Sequence, residues 1–150
     1  RARRGHACET VCTWSPSARR AEDFAVSVRD ELGAAYRVLS ALAERGVNLL
    51  AFTAVPSGVD RAQFAIFPDD PSRFVTEARL AQIEVDGPHH ALIVQGDDEL
   101  GGLAHVHERL LKAGVDVYAS TGVSDGRGAF GYIVYVREDQ FEHAAEALGL

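Results

Sequence analysis

Cysteine is scarce in this chain: Cys8 and Cys12 are the only two among 150 residues. That is too few for a disulfide framework and fits a reducing compartment, so a cytoplasmic setting is expected. Long apolar runs are missing too. A stretch such as residues 91–94 falls far short of the roughly 18 apolar residues that span a bilayer, so no membrane association is expected. Positive charge is in deficit: Lys112 is the sole lysine and the net charge is -7. An acidic chain repels phosphate backbones, which argues against nucleic acid as a partner. What remains, 47% hydrophobic and 25% charged residues, is the composition of one globular domain or two small ones that fold without staples. The chain opens on Arg1 rather than Met, so it is expected to be a fragment or a processed product, with any upstream targeting signal out of view.

The first 22 residues differ from the rest. Arg1, Arg3, Arg4, Arg19 and Arg20 cluster there, Ser15-Pro16-Ser17 punctuates the stretch, and no apolar period runs through it. Residues 1–22 are expected to form a flexible tail. Their arginine-rich character suggests a transit peptide, but no amphipathic helix is visible. His6, Cys8 and Cys12 suit zinc, yet a structural zinc takes four ligands and no second close pair lies nearby, so no metal is expected.

The remainder repeats itself. A shift of 68 residues places Asp30-Glu31-Leu32-Gly33 on Asp98-Glu99-Leu100-Gly101 without a gap. Val38 then meets Val106, Leu42 meets Leu110, and Gly46-Val47-Asn48 meets Gly114-Val115-Asp116. Ala51, Thr53, Val55 and Gly58 meet Ala119, Thr121, Val123 and Gly126. Two copies of one unit follow, residues 23–88 and 89–150.

Each copy reads in the same order. Phe24-Ala25-Val26-Ser27-Val28 is a short strand. Leu32, Ala35, Val38, Leu39 and Leu42 recur at helical spacing, with Asp30 or Glu31 at the N-terminal turn and Gly46 as the stop. Residues 47–55 and 63–67 form a hairpin across Pro56-Ser57-Gly58-Val59-Asp60. A second helix begins near Pro71 with Phe74, Val75, Ala78 and Leu80 inward, and residues 82–85 make a fourth strand closed by Gly87-Pro88. In the second copy residues 90–95 are the first strand. Leu103, Val106, Leu110 and Leu111 mark the helix, and residues 115–123 and 130–136 form the hairpin. Phe141, Ala144, Ala145 and Leu148 mark the last helix. The expected fold is α+β: two tandem ferredoxin-like βαββαβ units, each an antiparallel sheet with helices on one face. The second unit has too few residues for its fourth strand, so its first-strand edge must be covered by a neighbouring unit.

The finer pattern is a strand, a short acidic loop with glycine, a helix, then Gly-Val-Asn before the next strand. It resembles the ACT domain, and the two copies together resemble small stand-alone proteins built of two tandem ACT domains. The resemblance implies a non-catalytic regulatory protein that binds a free amino acid, needs no cofactor and forms a homo-oligomer, a dimer. It places the ligand at Asp30, Glu31, Leu32, Gly33, Ala34, Asn48 and Leu49, and in the second copy at Asp98, Glu99, Leu100, Gly101, Gly102 and Asp116. Two departures stand out: Leu32 and Leu100 replace a frequent proline, and Asp116 replaces the asparagine kept as Asn48. The second copy is therefore open to binding a different ligand or none.

Elementary chemistry points the same way. The first amides of a helix lack internal partners and carry partial positive charge, which suits a small carboxylate. Gly33, Gly101 and Gly102 let a ligand approach the backbone. Asn48 offers an amide for a polar group, and Asp30 and Asp98 are suited to an ammonium. The alternative is that the glycines only permit a turn and the aspartates only cap helices. Other chemistry has less support. His105 and His107 lie two apart on a helix and cannot share a metal. His89 and His90 read as loop. The glycine-rich stretch from Gly122 to Gly131 lacks Gly-Lys-Ser/Thr and sits in a hairpin, so it is not a phosphate-binding loop. Phe64, Phe67, Tyr132 and Tyr135 sit on third strands and read as packing rather than as base-stacking residues for single-stranded RNA. An assembly or dimerisation module without a ligand, or a regulatory fragment of a metabolic enzyme, is the competing function.

Overall fold

The computed structural model describes residues 15–150. Residues 1–14, with His6, Cys8 and Cys12, lie outside that range. The elements run β1 (Ser17–Arg29), α1 (Ala34–Glu44), β2 (Leu49–Pro56), β3 (Arg61–Pro68), α2 (Pro71–Leu80), β4 (Asp86–Asp97), α3 (Gly102–Lys112), β5 (Val117–Ser124) and β6 (Ala129–Val136). A 3-10 turn (Glu138–Gln140) then leads into α4 (Phe141–Ala147). The six strands form one sheet in the order β2-β3-β1-β4-β6-β5, antiparallel throughout.

Two helix-side cores follow from strand alternation. Phe24, Val26, Phe64 and Ile66 face α1 and α2, closing on Val38, Leu42, Phe74 and Ala78. Leu92, Val94, Tyr132 and Val134 face α3 and α4, closing on Val106, Leu110, Phe141 and Ala144. All eight strand residues share one face of the sheet, as the register shows: Phe24 pairs with Ile66, and Leu92 with Val134. Full burial of such side chains is worth about 1.5–3 kcal/mol each. Among the described residues the opposite face carries no helix, but it is not bare. Phe67 and Tyr135, equivalent under the 68-residue shift, lean together over the paired alanines Ala21 and Ala91 with ring centroids 6.1 Å apart.

Several expectations are corrected. Ser17 to Glu22, expected in the tail, form the first half of β1, pairing along β4 from Ser17↔Gln95 to Glu22↔His90. They occupy the fourth-strand position that the second unit lacks, so the covering neighbour is the first unit of the same chain. Ala18 packs on the second core and Arg20 bonds Glu142 at 2.7 Å, contacts invisible to a search for apolar period. The expected strand at residues 82–85 is not one: Ile83 and Val85 pack on the first core, but pairing begins only at Asp86↔Ala25. β4 then serves as last strand of the first unit and first strand of the second, so Gly87-Pro88 and His89-His90 lie inside a strand. Asp30 and Glu31 do not cap α1; Gly33 does, without a side-chain cap. Leu32 and Leu100 lie outside the helices and are fully exposed, while Leu80, Leu103 and Leu111 are exposed on α2 and α3.

Candidate functional site

Each strand-to-helix loop borders a cleft, and the two clefts are equivalent. Residues 30–36 face the end of β2 and the start of β3, at Val55, Pro56 and Ala62, across a cleft of ≈ 500 Å³. In the second unit Asp98, Glu99 and Gly102 face Val123, Ser124 and Phe130 across ≈ 170 Å³. The 68-residue shift carries Val55, Pro56 and Ala62 onto Val123, Ser124 and Phe130. Both loops are tied to their hairpins in the same way, Asp30 N donating to Asp60 O at 3.0 Å and Asp98 N to Gly128 O at 2.9 Å.

Local physics fixes the loop shape. Gly33 and Gly101 stand at the N-caps of α1 and α3 with φ of 83° and ψ near zero, left-handed backbone that L-residues rarely adopt. Neither helix has a side-chain cap, and Ala35 and Tyr36, which carry the first-turn amides of α1, line the cleft. An anion there meets the positive end of the helix dipole. The carboxylate of Glu31 is held by Arg37, which also donates to Leu32 O at 3.3 Å, so the cation offsets the acidic loop.

A further contact sets the second cleft apart. Ser124 Oγ donates to Asp98 Oδ2 at 2.7 Å, bridging loop and hairpin. In the first unit Pro56 takes the serine's place and has no hydroxyl to donate. A carboxylate committed to a hydroxyl and a smaller volume make the second cleft the less open of the two.

The remaining site residues do not join them within a unit. Asn48 lies beyond the far end of α1, whose 11 residues span about 16 Å. Its Nδ2 donates to Asp69 Oδ2 at 3.3 Å and its carbonyl accepts from Asp69 N at 3.1 Å. Asp69 in turn borders a small cleft with Arg19, Arg20 and His90, at the seam where β1 and β4 meet. Leu49 starts β2 against the first core, and Asp116 N donates to Gln140 Oε1 at 3.3 Å. Loop and second-strand start thus lie at opposite ends of α1, which runs back along β1. Among the other candidates, His107 Nε2 lies 2.6 Å from Tyr132 Oη and satisfies a buried hydroxyl. Phe64, Phe67 and Tyr132 are buried.

Among the described residues no group of three or more His, Cys, Asp or Glu could hold a metal, and no helix is long and apolar enough to cross a membrane. The chain's sequence matches no family profile and no curated protein. Its structure does match solved ones. Protein BT0572 from Bacteroides thetaiotaomicron superposes with a TM-score of 0.74 at 17% identity, over 87% of this chain and 88% of that one. The ligand-free regulatory subunit of aspartate kinase from Thermus thermophilus superposes with a TM-score of 0.63 at 19% identity, over 90% and 95%.

The chain has a tandem ACT fold. The ACT units share β1 and β4, each strand giving one half to either unit. Sequence reading missed this exchange because it ties two ladders to single long strands. Its available signal was the absence of any Gly or Pro between Ser17 and Arg29.

Proposed function

We propose that this protein is a non-catalytic regulatory module that binds a free amino acid in the cleft of the first ACT unit. The observation that carries the reading is the pair of repeat-equivalent clefts, each beside an uncapped helix N-terminus entered through a left-handed glycine. In the first cleft the amides of Ala35 and Tyr36 receive the ligand carboxylate, and Asp30 receives the ammonium. Asn48, Leu49 and Asp116 belong to this reading only if a second copy brings a second-strand start to the loop. The second cleft, with Asp98 engaged by Ser124, binds more weakly or not at all. The likeness to a regulatory subunit of aspartate kinase supports a regulatory role, and the scarcity of cysteine supports a cytoplasmic setting.

Calorimetry across the twenty amino acids tests this, with Val55→Glu as the variant. Val55 is 55% exposed on an edge strand and lines the cleft, so a carboxylate there repels a ligand carboxylate while sparing the core. Binding by wild type and loss in Val55→Glu supports the site. No binding below millimolar in wild type sinks it.

A second reading, assembly through homodimerisation, has its own observation: Leu32 and Leu100, equivalent in the repeat, are both fully exposed. Exposed leucines at related positions suit a self-complementary contact. Sedimentation of wild type and of the Leu32→Ser, Leu100→Ser double variant tests this reading: assembly through the leucines requires a dimer in wild type that the variant loses.

A further inference from the structure

The helix-free face of the sheet holds a cavity that neither loop cleft uses. Its volume is ≈ 560 Å³, within the range of small-molecule sites. Residues from both edge strands line it, so this face is concave. Ala51 and Thr53 on β2 form one wall; Ile93 on β4, Thr121 on β5, and Gly131 and Ile133 on β6 form the rest. Thr53 and Thr121 are equivalent under the 68-residue shift, so each unit contributes the same hydroxyl and neither unit builds the cavity alone.

Gly131 is the informative residue. It sits in mid-strand, where glycine weakens a strand and has no side chain to pack. Its φ is not in the left-handed region, and among the described residues a Cβ placed on it would meet nothing within 4 Å. Neither backbone strain nor crowding calls for glycine here, and its effect is to keep the cavity open. Gly122, on the adjacent strand β5 in the same lining, is different: its Cβ would lie 2.9 Å from the Tyr132 ring. Charge narrows the class of ligand. Asp125 is the one charged side chain among the described lining residues, and its Oδ1 already accepts from the amides of Arg127 and Ala129. No lining cation is present among them to hold an anion.

We propose that this cavity is a separate ligand site for a small uncharged or cationic molecule with an apolar body, held by one or two hydrogen bonds to Thr53, Thr121 or Gln95. It does not depend on the amino-acid reading of the loop cleft. The test is an NMR titration of the full chain with indole, a neutral ring with one N–H donor, and with benzoate as an anionic ring. The expected result is saturable indole shifts at Thr53, Thr121 and Gly131, with benzoate giving none. Gly131→Val, which fills the cavity from β6, should weaken indole binding by about tenfold or more. Thr53→Phe fills it from the opposite wall and serves if Gly131→Val fails to fold. Shifts at residues 30–36 report the loop cleft and should not respond to indole, so failure at one site is distinguishable from failure at the other. No saturable indole shift, equal binding in a folded filling variant, or equal binding of benzoate would overturn the proposal. So would contacts from residues 1–14, or from a second copy, to the Ile93 and Ile133 methyl groups, since the cavity would then belong to the protein itself.

Discussion

Gly33 and Gly101 share a φ of +83°. Any L-residue placed there pays the left-handed penalty, about 1–2 kcal/mol. Gly33→Ala should therefore lower stability by about 1 kcal/mol in urea denaturation whether or not a ligand binds, and Gly33→Val by more. Loss of binding in such a variant would not isolate the ligand contact, which is why Val55→Glu is the better probe. Asp23 is the other residue with a measurable consequence. It is 4% exposed on the helix-free face, and its Oδ1 has no hydrogen-bond partner among the described residues. Burial pushes its carboxyl above the usual carboxylate range, while nearby His89 and His90 pull it back; Tyr135, whose own hydroxyl burial raises, lies on the same side. A carboxyl raised in the folded state binds a proton more tightly folded than unfolded, so its contribution to stability grows as pH falls through the raised value towards 3.8. Asp23→Asn removes that gain. The difference in denaturation midpoint between variant and wild type should favour the variant at about pH 7 and shrink at about pH 5.

At the scale of elements, β1 and β4 matter most because each is counted twice. The first half of β1 completes the second unit, and the first half of β4 edges the first. Ala21 sits at the crossing, 7% exposed and paired with Ala91, beneath Phe67 and Tyr135. A larger side chain there has nowhere to go, so Ala21→Leu should cost about 1–3 kcal/mol by overpacking. Were residues 17–22 a detachable arm, the same change would leave the denaturation midpoint where it was. By contrast Arg20→Ala, which removes the exposed ion pair with Glu142, should cost no more than about 1 kcal/mol. At this scale the reading from sequence was good where periodicity is local. The helix faces of Val38 and Leu42, Val106 and Leu110, and Phe141 and Ala144 all point inward. It failed for Leu32, Leu80, Leu103 and Leu111, which were counted on the same faces and are exposed, and for residues 17–22 and 82–85, where pairing with a partner distant in sequence, not composition, decides whether extended chain becomes strand.

For the whole molecule the shared strands predict cooperativity. Unfolding either unit removes a strand from the other, so one thermal transition is expected, with calorimetric and van't Hoff enthalpies in agreement. Residues 89–150 on their own lack the strand supplied by Ser17 to Glu22 and expose the edge of β4. As an isolated fragment they should self-associate or show little hydrogen-exchange protection in β4, whereas two autonomous domains would give a protected monomer.

The repeat, the βαββαβ order and the loops at Gly33 and Gly101 were legible in the chain because they rest on local spacing: apolar residues at helical period, turn residues between strands, identical blocks 68 residues apart. The positions of Asn48 and Gly33 at opposite ends of α1 follow from helix length, which the sequence also contained. The tertiary structure alone decided which strand lies beside which. It gave the second unit its missing strand from residues 17–22, buried Asp23, closed Asp98 against Ser124, and brought the two edge strands of one sheet around a common cavity. Those outcomes depend on long-range pairing and sheet curvature, whose energies arise between residues far apart in the chain and leave no periodic mark along it.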